Sequence, residues 1–210
     1  MYELESEMII ILGVICFILV RSIFVTIILK KQKQSSWIKE TVLFLFIIYI
    51  LMMISVTLLP LGIRMDGVQL DVRRSINFIP MRDIFHNIKQ IGVAYDGDTA
   101  FMINLIIRNV GGNILLLMPL GVLVPLLFNR FRSNIRIFLL GFMISAAIEF
   151  LQLIEIMLGA VIRTVDIDDI ICNVFGIMIG YSIYKILSIL VKKYQIHSLL
   201  RVFSKTREGQ

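Results

Sequence analysis

Apolar runs of about 20 residues constrain this chain more than anything else in it, because a helix rising 1.5 Å per residue then spans a hydrocarbon core of about 30 Å. Five such runs are legible: roughly Met8–Leu29, Glu40–Leu59, Phe101–Phe128, Ile137–Leu158 and Ile167–Val191. A soluble domain could not hide the apolar surface of a 210-residue chain that is 58% hydrophobic and 17% charged. The expected fold class is all-α: a polytopic transmembrane helix bundle of about five spans, forming one domain over residues 1–210.

The net charge of +6 is then a topology signal rather than a nucleic-acid footprint. Basic clusters follow the first run (Lys30, Lys31, Lys33, Lys39), the third (Arg130, Arg132, Arg136) and the fifth (Lys192, Lys193, with Arg201, Lys205 and Arg207 in the tail). All three fall on one side of a five-span chain, which predicts a cell-membrane protein with its N-terminus outside and its C-terminus cytoplasmic. The acidic MYELESE start and the lack of a cleavage site predict a retained first span, with Arg21 snorkelling to its basic end. The charge-balanced stretch from Pro60 to Ala100 is expected outside. Within it, Pro80 should open a short interfacial or re-entrant helix with Met81, Ile84, Phe85 and Ile88 on one side. His86 belongs in the headgroup layer, and Cys16 and Cys172 are expected to be small packing residues.

The polar residues inside the apolar runs keep helical spacing. Gly141, Ser145, Glu149 and Gln152 form one stripe, and Asp166, Asp169, Asn173, Gly176 and Gly180 form a second beyond the break at Gly159–Val165. The third run carries Arg108, Asn109 and Asn113. Its Pro119 leaves the Leu115 carbonyl without a helical donor, which predicts a kinked helix wrapped by its neighbours. Ionisable groups in spanning helices face a bundle interior or a cavity, so the stripes should face one another at one depth. The glycines read as close-packing positions and Glu149 and Asp169 as a site, with Arg163 or Arg108 as counter-charge. The constellation predicts a pocket open to the outer leaflet.

RRSINFIP at Arg73–Pro80, NVGGNILLLMPLGVLVP at Asn109–Pro125, SAAIEFLQ at Ser145–Gln152 and RTVDIDDIICNVFGIMIGY at Arg163–Tyr181 resemble, in order, the motifs of the VanZ-like family of teicoplanin-resistance-associated membrane proteins. The resemblance covers about residues 73–181, with residues 192–210 as a basic cytoplasmic tail outside it. It implies that Asn77, Pro80, Asn109, Asn113, Pro119, Glu149, Gln152, Arg163, Asp166, Asp169, Asn173 and Gly176 are signature positions. It implies a phenotype, and no reaction.

Three functions are open from the residues. A pocket could bind an envelope lipid or the lipid tail of a glycopeptide drug and lower drug access. An enzyme could act on an envelope lipid or its headgroup with Glu149 and Asp169 as acid and base, although no nucleophile is marked near them. A membrane scaffold would use the stripes only as helix glue. No cofactor is expected; Mg²⁺ or Ca²⁺ on Asp166, Asp168 and Asp169 is the lesser reading, since acids at a helix start are favourable by themselves. The expected partners are membrane lipids and an envelope lipid or lipoglycopeptide, with no nucleic acid.

Overall fold

The computed structural model describes residues 37–58, 75–158, 164–196, 199, 200 and 203. Within these, four helices are long and apolar enough to cross a membrane: α1 (Trp37–Leu58), α3 (Thr99–Leu127), α4 (Asn134–Met157) and α5 (Ile167–Lys193). They match the second to fifth apolar runs to within about three residues at each end. The expected first span, Met8–Leu29, lies outside the described residues. The short β1 (Ile76–Asn77), α2 (Arg82–Lys89) and β2 (Val165–Asp166) complete the architecture.

The most extensive pairing is between α3 and α5, with α4 packed on α5 and α1 on α3. Glycine is what permits it. A Cβ on Gly176 would fall on the Ile114 carbonyl oxygen, and one on Gly180 would fall on that of Met118, so the two backbones touch directly. Toward the far end of these helices Leu117, Leu120, Val124, Ile137, Ile177, Tyr181 and Tyr184 close into an apolar core. Outward positions such as Met143, Phe150, Phe175 and Ile186 are exposed, as side chains facing lipid tails should be.

The third run is irregular upstream of its prolines. A π-helical turn at Ile107–Gly111 interrupts α3, and Pro119 and Pro125 lie inside its second half. The Tyr49 hydroxyl of α1 donates to the Leu116 carbonyl at 2.7 Å, beside the Leu115 carbonyl that Pro119 cannot serve. Arg132 Nε donates to the Pro125 carbonyl at 2.9 Å. Neighbouring segments thus satisfy backbone groups on a helix that proline disturbs.

Charge separates along the helix axes. Arg130 and Arg132 lie between α3 and α4, Arg136 is in the first turn of α4, and Lys192 and Lys193 end α5 at the same face, where Lys185 Nζ donates to Asn134 Oδ1 at 2.7 Å. The acids Asp83, Asp166, Asp168 and Asp169 occupy the opposite end.

Candidate functional site

The site starts from a backbone event. β1 and β2 pair in parallel, Ile76 with Val165 and Asn77 with Asp166, and so pin the segment before α2 against the start of α5. Asp166 is the N-cap of α5. Its Oδ1 accepts the Asp168 amide at 2.9 Å, capping one N–H of the helix start, and also the Asn77 Nδ2 at 3.1 Å. Asn77 Oδ1 in turn accepts the Ile79 amide at 3.1 Å. Burial pushes the Asp166 carboxyl above the ordinary aspartate range, and the Asp168 amide opposes the shift.

From this cap the polar groups spread across all four spanning helices. Glu149 Oε2 accepts the Asp166 backbone N–H at 3.1 Å, tying α4 to β2. Asn113 Nδ2 donates to Asp169 Oδ1, tying α3 to α5. Asn173 Nδ2 donates to Ser145 Oγ at 2.9 Å, and Gln152 Nε2 donates to the Thr57 carbonyl of α1 at 3.3 Å. Asp168 Oδ1 accepts the amide of Met81, which holds a left-handed φ of 64°. That conformation is uncommon for a side chain of this kind, and here it aims the N–H at a carboxylate.

These groups surround a cavity of about 530 Å³, within the size range of small-molecule sites. Arg108, Asn109, Asn113, Glu149, Gln152, Asp166, Asp169 and Asn173 line it, and Val56, Ile106, Leu116 and Ile148 supply apolar wall. Asn77 joins through Asp166 rather than by lining the cavity. Arg163 lies outside the described residues.

Of the two arginines expected as counter-charge, Arg108 alone falls within the described residues. Among the described residues, Glu149 and Asp169 are met by neutral amides, the Asp166 N–H and Asn113, and not by a cation. Arg108 lines the cavity but is exposed, because the π-helical turn that carries it lies on an outer part of α3. Pro80 does not open α2 either. The helix begins at Arg82 with Met81 as N-cap, since the left-handed Met81 must turn the chain before a helix can start. Met81, Phe85 and Ile88 are exposed, whereas Ile84 turns to the cavity with Asp83 and Asn87. Among the described residues no three His, Cys, Asp or Glu side chains are placed to hold a metal ion.

Several lining residues lie outside the expected pocket set, Asp168 having been read from the sequence only as a lesser Mg²⁺ or Ca²⁺ ligand. Asp168 lies off the stripe of Asp166, Asp169 and Asn173, yet it is buried and lines the cavity together with Cys172, four residues on. Asp83 and Asn87 share one face of α2 by the same four-residue spacing, which was the available signal. Thr57 had none, because only the tertiary contact with Gln152 brings it there.

The sequence model of the VanZ/LLP1 family matches residues 46–188, more than half of the chain. No curated protein and no solved structure matches it.

Proposed function

Because the chain belongs to the VanZ/LLP1 family, we propose that it lowers the access of teicoplanin-type glycopeptides at the cell surface, using the polar cavity to engage an envelope lipid headgroup or the drug's lipid tail. One observation carries this reading: polar groups from all four described spanning helices converge on one cavity that also has apolar wall. A headgroup suits the amides and carboxylates, and acyl chains suit Val56, Ile106 and Leu116. The basic segments at Arg130–Arg136 and Lys192–Lys193 favour the cytoplasm. The cavity, at the opposite end of the helices, then belongs to the outer leaflet.

The competing enzymatic reading rests on Glu149 and Asp169 lining one cavity. Ser145, the hydroxyl on the same stripe as Glu149, is fully buried and occupied with Asn173. Its placement supports structure over nucleophilic attack. Expression in a susceptible Gram-positive host separates the two readings. Binding predicts raised tolerance to teicoplanin with unchanged peptidoglycan precursor termini, and tolerance that rises only with altered precursors would sink it.

A further inference from the structure

The cavity wall is acidic, although the amides Asn87, Asn109, Asn113 and Gln152 also line it. Asp83, Glu149, Asp166, Asp168 and Asp169 face it against Arg108 alone among the described residues. An acidic wall by itself implies nothing, but two of the most deeply buried lining groups lack part of their hydrogen bonding. Asp168 is 3% exposed and its Oδ2 has no partner, although its Oδ1 is held by the Met81 amide. Asn173 is 1% exposed and its Oδ1 has no partner, although its Nδ2 is held by Ser145. Both orphaned atoms are acceptors, and a buried acceptor without a donor is costly.

We propose that the cavity binds an ammonium group, carried by an amine-bearing headgroup, with Asp168 Oδ2 and Asn173 Oδ1 accepting its N–H bonds. The proposal rests on the binding reading above and narrows its ligand. An alkylammonium offers three donors and no acceptor, which matches two orphaned acceptors, and its charge offsets the excess of carboxylates. A phosphate or other anion would add negative charge to a wall where five carboxylates already face one arginine among the described residues. A neutral sugar would supply donors without offsetting the charge. The apolar wall at Val56, Ile106 and Leu116 accommodates the carbon skeleton on which the ammonium is carried.

The test is the thermal unfolding of the purified full chain in detergent, titrated with ethanolamine, glucose, inorganic phosphate or Mg²⁺. Ethanolamine should stabilise saturably, and glucose and phosphate should not. Asp168→Asn places a donor where an acceptor is needed and should weaken the ethanolamine midpoint about tenfold or more. Should that variant fail to fold, Asn173→Asp remains informative: the Ser145 hydroxyl can donate to the new carboxylate, and the added charge should tighten the ethanolamine midpoint. An unchanged midpoint in both variants, or equal stabilisation by phosphate or glucose, overturns the proposal. So does stabilisation by Mg²⁺ that replaces that by ethanolamine.

Nanodiscs of phosphatidylglycerol with and without phosphatidylethanolamine identify the source. Stabilisation by the doped discs at lipid ratios where free ethanolamine is inert marks a lipid headgroup. The reverse marks a soluble amine, and both support ammonium chemistry. If cavity variants abolish drug tolerance while no ammonium probe binds, the ammonium assignment fails and the binding reading survives. If ethanolamine binds as predicted while tolerance never rises, the reverse holds.

Discussion

The Glu149 carboxylate of α4 accepts the backbone N–H of Asp166 at 3.1 Å, across the break that separates α4 from α5. This bond matters because Asp166 simultaneously caps α5 and pairs with Asn77. One side chain thereby fixes the relative position of two spanning helices and the extended segment beside them. Charge and hydrogen-bond capacity at Glu149 can be separated by substitution. Glu149→Gln retains an acceptor for the Asp166 amide, while Glu149→Ala leaves a buried donor unpaired and should cost about 1–3 kcal/mol. Unfolding in detergent should rank wild type near Gln and both well above Ala. Equal losses for Gln and Ala would show that charge, and not the amide bond, holds the break together.

Function should respond to charge even where folding does not. Glu149→Gln and Asp169→Asn are expected to insert and accumulate normally but to lose drug tolerance in a susceptible host. Asp96→Asn, in the exposed turn before α3, should retain it. Full tolerance in both cavity variants at normal abundance would reduce the polar stripes to helix glue.

The α3–α5 contact predicts a sharp contrast between glycines. Gly180→Ala drives a methyl into the Met118 carbonyl and should destabilise by about 1–3 kcal/mol or more, with lower membrane abundance. Gly112→Ala meets nothing within 4 Å and should leave stability within about 1 kcal/mol of wild type. Comparable abundance of the two variants would contradict backbone contact between these helices.

Tyr49→Phe removes the hydroxyl that reaches Leu116 beside Pro119. A loss of about 0.5–1.5 kcal/mol is expected from one hydrogen bond. The thermal midpoint of the detergent-solubilised variant checks it, and no shift would mean that the carbonyl finds another donor.

Sidedness is tested by single-cysteine labelling in intact cells. Positions in Arg130–Arg136 and after Lys193 should be protected from an impermeant reagent, and those at Tyr95–Asp98 should react. Reaction at Arg130–Arg136 would reverse the orientation and move the cavity to the inner leaflet.

The sequence alone determined where four spanning helices lie and which of their faces are polar. Length, hydropathy and the 3.6-residue period act within one segment, so they survive without knowledge of the fold. Gly176 and Gly180 were legible as packing positions for the same reason. What meets each polar face was decided only by tertiary structure, because a helical period assigns a face without fixing the register of the facing helix. Asp169 was thus legible in the sequence as a polar position, whereas its Asn113 partner on α3 was fixed only by the fold. Asp168, off the stripe by one residue, is buried because the parallel pairing of Asn77 with Asp166 returns Met81 to its carboxylate. That contact joins residues 87 positions apart, and no local pattern in the chain specifies it.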